Sequence, residues 1–450
     1  MTRLLLAMAL GLCACATVTD TAPDIAAASA ALPDTLPADV AFAPDPSRAD
    51  SFAALFADPV LADHLAATLL SNRDIAAARL SAQIASQRLA QARARRLPRI
   101  SVSTDAGAAT FLSDIDISDS LGINAVASYD PDLFGAVRAG IRGAQARRDV
   151  AQLDADRLAR VLLAQTATAY VQAIEADRQL ALARENFEFL GETLRVSRAR
   201  FEGGAIARAD FALSEAEYEN ARASLVSQEL SARASRRTLA ALRGDFADAT
   251  PRVAAALPSL VPPGLGLMST RSLLERFDVR ASAASVYAAT ADLDATRANT
   301  LPLAGVSAAF GGGGSIGDLF DIDTYLARLT ASLSDTVFGN AEDAQIAESQ
   351  LRLDAALLRY EDTLRDAYAE LSAAFDRTAA LERQLSALAT ASESAATALE
   401  LETIRYDLGE AILLDVLTVQ RRVNAIQSSA IRAQSLYLQA VIDAHLAGGP

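Results

Sequence analysis

Two hydrophobic rhythms alternate along this chain. In "YLARLTASLS", residues 325–334, Tyr325, Ala327, Leu329, Ala331 and Leu333 alternate with Arg328, Thr330, Ser332 and Ser334. A period of two predicts a strand with one apolar and one polar face. Ile100, Val102, Thr104, Ala106, Ala108 and Thr110 share one side of "PRISVSTDAGAATFL", and Leu121, Ile123, Ala125, Ala127 and Tyr129 one side of "LGINAVASYD". Between them "SDIDISDS", residues 113–120, is small and acidic and predicts a loop. Ten residues so patterned suit a tilted membrane strand around a wet lumen; a half-buried strand of a soluble sheet gives the same pattern.

The second rhythm has a period of seven. Leu357, Leu364, Leu371, Thr378, Leu385, Ser392 and Leu399 recur at that spacing, with Tyr360, Ala367, Ala374, Leu381, Leu388 and Ala395 three behind. This is an a/d seam, the mark of long helices packed side by side. A looser stripe runs through Leu162, Ala169, Ala176, Ala183 and Leu190 beside Ala173, Leu180, Phe187 and Leu194. Proline is absent between Pro131 and Pro251 and between Pro302 and Pro450, so both windows can be helical throughout. A continuous helix over 136–200 would be roughly 100 Å long, too long for an ordinary compact domain. Shorter helices are predicted over about 60–96 and 270–300, each stopped by a Leu-Pro pair.

The two rhythms come round twice. At an offset of 204, residues 74–107 align with 278–311 without a gap, and the identities include Ser81/Ser285, Leu89/Leu293, Arg93/Arg297, Leu97/Leu301, Pro98/Pro302 and Val102/Val306. Phe134-Gly135 align with Phe338-Gly339 at the same offset. Further on, "RFEGGAIARAD" from Arg200 matches "RYDLGEAILLD" from Arg405. Gly203, Gly204 and Gly409 mark the turns of two helical hairpins, because glycine tolerates positive φ. The chain returns through 208–243 and 411–446. The chain is one structural unit used twice: 60–250, a linker at 251–269, then 270–447.

The N-terminus changes the picture. Arg3, an apolar run from Leu4 to Leu12, and then Cys13 and Cys15 have the layout of a secretory leader over 1–14, too short to span a membrane. Leu12-Cys13-Ala14-Cys15 resembles the bacterial lipobox, with Cys15 the lipidated residue; a plain leader with incidental cysteines is the alternative. These are the only cysteines, so no disulfide framework is expected. Residues 15–59, rich in Ala, Asp and Pro, read as an extended tether.

Composition and charge remove other functions. All 41 basic residues are arginine, so there is no P-loop or Schiff-base lysine, and the net charge of -15 argues against nucleic acid as a partner. "FGGGGS", Phe310 to Ser315, has no lysine after it and predicts a flexible loop or turn, not a phosphate cradle. His64 and His445 fall in separate helices without ligand spacing, which predicts surface or packing roles, with no metal and no cofactor. No nucleophile is paired with a base, so no enzyme is expected.

The order helix, Leu-Pro, strand, strand, "SYDPDLFG", long helix, "RFEGG" turn, helix, repeated once over about residues 55–447, resembles the outer membrane efflux proteins. These are the TolC-like and OprM-like channels, and the lipobox points to their lipoprotein, NodT-type branch. The resemblance implies a mainly α fold with a membrane β-barrel. In it, three chains share twelve strands, four from each, continued into the periplasm by an α-helical barrel. Backbone chemistry agrees, because four strands cannot close alone and a spanning sheet must leave no edge in lipid. It implies a homotrimeric exit channel in a tripartite efflux system, partnered by a periplasmic adaptor, an inner-membrane pump of the resistance-nodulation-division type and outer membrane lipid. Type I protein secretion, or a non-porous envelope spacer, is the alternative. By the same resemblance Tyr406, Asp415 and Asp210 lie at or near the periplasmic constriction. The sequence departs from the pattern at Ala411 and Thr418, where relatives commonly carry polar, basic or acidic groups. Solvated helix-start residues are the alternative reading of Asp415 and Asp210.

Overall fold

The computed structural model describes residues 25–30, 52–56, 58–111, 114–246, 249–258, 260, 270–314, 323, 325–334 and 341–449. The leader, Cys13, Cys15, most of the tether, most of the 251–269 linker and Phe338-Gly339 lie outside them. Two short helical stretches, Ile25–Ala30 and Phe52–Leu55, precede the main elements. Those are α1 (Pro59–Ser71), α2 (Arg73–Ala94), β1 (Arg99–Phe111), β2 (Asp114–Tyr129), α3 (Ala136–Glu202) and α4 (Arg208–Arg243), then α5 (Phe277–Asn299), β3 (Leu303–Gly314), β4 (Tyr325–Ser334), α6 (Ala341–Asp407) and α7 (Leu413–Ala447). Helix, two strands, long helix and return helix thus occur twice in the same order.

Three local expectations are corrected. The first predicted helix is two helices broken at Asn72, whose Oδ1 accepts from the amides of Asp74 (2.9 Å) and Ile75 (3.3 Å) while Nδ2 donates to the Leu242 carbonyl (2.8 Å). An N-cap side chain that also reaches a distant carbonyl ends one helix and starts the next without Gly or Pro. The helix expected over 270–300 begins instead with a 3₁₀ turn, Thr270–Glu275. Residues 114–120 and Gly311–Gly314, expected as loops, belong to β2 and β3.

The chain forms two compact units, each drawing on both halves of the sequence: Arg79–Leu153 with Arg280–Thr363, and Leu32–Ala78 with Asp154–Val279 and Leu364–Pro450. The first holds a four-stranded antiparallel sheet in the order β1-β2-β3-β4. Its register pairs Ile100 with Ala127, Ala127 with Ala308, and Ala308 with Leu329, and likewise Val102 with Ala125, Ala125 with Phe310, and Phe310 with Ala327. Apolar positions therefore fall opposite apolar positions across all four strands, since side chains alternate faces. The large ones are not covered: Leu329 is 78% exposed, Ile100 74% and Phe310 54%. Among the described residues β1 and β4 each have an unpaired edge. Gly311 lies opposite Asn124, and a Cβ there would stand 2.0 Å from Asn124 Oδ1, so the glycine makes room for that amide on the polar face. Beside the sheet, α3 and α5 are joined by Arg142 to buried Asp294 (2.9 Å) and by Arg147 to Asp292.

The second unit has the larger core. Phe52, Phe56, Leu61, Leu65, Ala167, Tyr170, Ile174, Leu239, Leu438 and Ile442 pack together from α1, α3, α4, α7 and the preceding segment. Tyr170 donates to Asp58 Oδ2 at 2.6 Å, and Asp58 Oδ1 accepts from Val60 N at 2.8 Å, so one carboxylate caps α1 and satisfies a buried hydroxyl. Burial first, then that bond, pushes the Tyr170 hydroxyl pKa up. His64 and His445 are both buried, and His445 packs edge-on against Phe52 at 5.0 Å. On α6 the seam is buried at Tyr360, Leu364, Ala367, Leu371, Ala374, Thr378 and Leu381, but only half-buried from Leu385 to Leu399. Among the described residues no helix is long and apolar enough to cross a membrane.

Candidate functional site

Both hairpin turns close with the same backbone bonds. In the first, Ala205 N donates to Arg200 O (2.8 Å) and Gly204 N to Phe201 O (2.9 Å); in the second, Glu410 N donates to Arg405 O (2.8 Å) and Gly409 N to Tyr406 O (3.1 Å). This pair of bonds, six-to-one and five-to-two, ends a helix on a left-handed residue. Gly204 (φ +73°) and Gly409 (φ +78°) fill that role. Gly203, the first residue past α3, lies in the turn beside Gly204 without adopting positive φ.

Beneath the turns Leu190, Ala221, Leu413 and Leu417 form a small core with Phe187, Leu213 and Tyr406 against them. Phe201 and Phe211 stack across the first turn at 5.2 Å, and buried Ser214 donates to Ser197 at 3.0 Å. The two turns are tied directly. Arg200 Nη1 donates to the Tyr406 hydroxyl at 2.6 Å, and its guanidinium stands over the Tyr406 ring 4.7 Å from the centroid. Arg405, at the matching position, stays local on Glu402 (2.9 Å). The sequence holds an Arg at both places, but nothing in the repeat separates the one that crosses to the other hairpin.

Asp415 is exposed in the first turn of α7 and accepts from Ile412 N at 3.2 Å. Asp210 is exposed in the first turn of α4. Among the described residues no hydrogen bond or ion pair joins Asp210, Asp415 and Tyr406 to one another. Thr418 donates to Leu414 O at 2.7 Å, so it is tied back onto its own helix. The site therefore consists of one Arg–Tyr tie and two exposed carboxylates at helix starts, where helix dipoles favour negative charge. Such a set can bind or repel ions, and it contains no nucleophile paired with a base.

An open-edged amphipathic sheet in a chain otherwise built of long helical hairpins defines a class of membrane-associated envelope protein. This chain belongs to the outer membrane efflux protein family, whose sequence profile it matches over residues 65–245 and 268–447. The family consists of channel-forming outer membrane proteins, not enzymes, which places the chain at the outer membrane. It is 28% identical to the pyoverdine export outer membrane protein OpmQ of Pseudomonas aeruginosa over 408 residues, 88% of this chain and 86% of that one. It is 29% identical to outer membrane protein OprJ of the same species over 324 residues, 69% of this chain and 65% of OprJ. The open-state crystal structure of the Neisseria gonorrhoeae MtrE outer membrane channel superposes with a TM-score of 0.82 at 25% identity, over 93% of this chain and 96% of that one.

Proposed function

We propose that three copies close their sheets into one twelve-stranded barrel. The assembly is then the outer membrane channel of a tripartite efflux system, passively conducting cargo received from an inner-membrane pump through a periplasmic adaptor. The observation that carries this reading is the sheet: among the described residues, one apolar face is left uncovered, a polar face lies behind it, and two edges are unpaired. An edge strand in lipid leaves amides and carbonyls without partners, and cyclic closure among copies removes every edge. Relatives named for pyoverdine export and for toluene efflux support an efflux cargo over protein secretion. In this assembly Tyr406, Asp415 and Asp210 ring the axis at the hairpin turns Gly203-Gly204 and Gly409, and the Arg200–Tyr406 tie holds the two turns of each chain together. Cys15 carries the lipid.

Native mass spectrometry of the detergent-extracted protein tests the assembly, with planar-bilayer conductance as its companion. The expected result is a trimer that opens discrete channels; a monomer, or a trimer without conductance, overturns the proposal. Metabolic labelling with a palmitate analogue should be lost in Cys15→Ser and kept in Cys13→Ser.

A further inference from the structure

At the helix-to-strand end of the sheet lies a groove, lined by Tyr129 and Val306 of the apolar face as well as by the polar face, that the channel reading does not use. Cross-strand pairing sets two adjoining rows on the polar face: Arg99, Ser128, Ser307 and Thr330 in one, and Ser101, Val126, Ala309 and Arg328 in the next. The groove, about 830 Å³, opens at the first row, and its lining includes Gln91, Arg95, Arg99, Ser128, Ser307 and Ser332. Arg95, Arg99 and Arg328 are exposed, and among the described residues none of them has a carboxylate partner. The lining holds one carboxylate, Asp130, whose Oδ1 already accepts from Asp132 N at 2.8 Å.

A run of arginines on a surface is commonly only solvated, but the duplication supplies an internal control. At the offset of 204, Asn299 and Leu303 stand where Arg95 and Arg99 stand. That second junction still forms the same helix-to-strand step, from α5 into β3. The fold therefore does not require the two guanidinium groups. They sit instead in a recess of small-molecule size, beside serine hydroxyls and a glutamine amide. Planar guanidinium forks bind carboxylate and phosphate oxygens with two parallel bonds, and hydroxyls and amides complete the shell.

We propose that this groove binds small organic anions bearing carboxylate or phosphate groups. Where the three sheets close with polar faces inward, as the channel reading has it, three such grooves form a basic belt at the helix end of the lumen. Screening over about 8 Å makes this local sign, not the acidic total, what a passing solute meets. The belt would then retain anionic cargo in transit. Its position rests on the channel reading, whereas binding to the groove does not.

The test is calorimetric titration of the purified full chain in detergent with citrate, at low ionic strength. Saturable binding is expected, weakened by about tenfold or more in the Arg95→Gln/Arg99→Gln pair, since each charge-assisted bond contributes on that order. Arg328→Gln should weaken it less. Arg95→Lys/Arg99→Lys keeps the charge without the fork and should fall between wild type and the Gln pair. Arg73→Gln/Arg88→Gln, an equal charge change on the exposed part of α2, should leave binding unchanged. Absence of saturable binding overturns the proposal, as does an equal loss in Arg73→Gln/Arg88→Gln, which would mean net charge alone is responsible. Should the Gln pair fail to fold, judged by circular dichroism, the Lys pair and Arg328→Gln decide alone. Citrate should also reduce single-channel current in wild type but not in the Gln pair. Channels with no citrate binding would sink the groove and leave the channel reading standing; citrate binding without channels would do the reverse.

Discussion

His64 has both ring nitrogens engaged in a fully buried position. Nε2 lies 2.8 Å from the Arg252 carbonyl and can only donate, so Nδ1, 2.6 Å from Arg243 Nη1, must accept. The ring is therefore neutral, and a second proton would point an N–H at a guanidinium. Burial foremost, with the charge of Arg243 adding to it, holds the pKa below its ordinary 6.5, against the opposite pull of the Arg252 carbonyl, Asp63 and Asp58. A base whose folded pKa is lowered takes up protons more readily when unfolded, so its stability contribution is full above about pH 6.5 and declines as the medium is acidified. The unfolding temperature should fall between about pH 7 and about pH 5, and fall less in His64→Gln; parallel profiles would locate the acid sensitivity elsewhere. The turn glycines allow a second prediction. A Cβ on Gly204 or Gly409 would meet nothing within 4 Å, so alanine there bears only the left-handed backbone cost, about 1–2 kcal/mol. At Gly244 (φ +82°) a Cβ would stand 2.5 Å from the Ser71 carbonyl, so Gly244→Ala should destabilise clearly more in urea titrations. Equal losses at all three sites would mean that the contact relaxes freely.

Among the elements, the strands carry the membrane argument. Leu329 and Thr330 are neighbours on opposite faces of β4. If the apolar face meets lipid, Leu329→Arg should cost about 2–4 kcal/mol per chain near the bilayer midplane, and Thr330→Arg far less. Heat-resistant trimer on gels reads the difference, and equal loss would contradict the assigned faces. These strands were legible in the sequence because apolar and polar residues alternate cleanly. In 114–120 the alternation is also present, with Ile115 and Ile117 each following an Asp, but the acidic composition predicts a loop. Gly311–Gly314 read as a turn because glycine weakens strands; what keeps the run in β3 is pairing with β2 and the close approach of Asn124 at Gly311. The break at Asn72 depends on a carbonyl 170 residues away, which no local pattern reports. At the candidate site the repeated motif announced the two turns, whereas the Arg200–Tyr406 tie arises only from how the hairpins pack.

For the whole assembly, symmetry multiplies single residues. Three Asp415 carboxylates gathered at a narrow axis would bias the current toward cations without barring anions. Asp415→Asn keeps an oxygen for the Ile412 amide while removing the charge. Reversal potentials under a salt gradient should therefore show lower cation selectivity in Asp415→Asn and none of that change in Glu393→Ala, an exposed acid on α6 away from the turn. Retained selectivity would leave Asp415 as a helix-start residue only. The two long helices, α3 and α6, are each 67 residues. One residue inserted into either alone would turn everything beyond it by about 100° and advance it by about 1.5 Å, swinging Arg200 out of reach of Tyr406. Hairpin length is therefore a matched and graduated quantity: a change survives when it is made in all four arms at once and in steps of seven, each step about 10 Å. Relatives of different reach would be spaced along such a ruler, with the junctions between its marks left unoccupied.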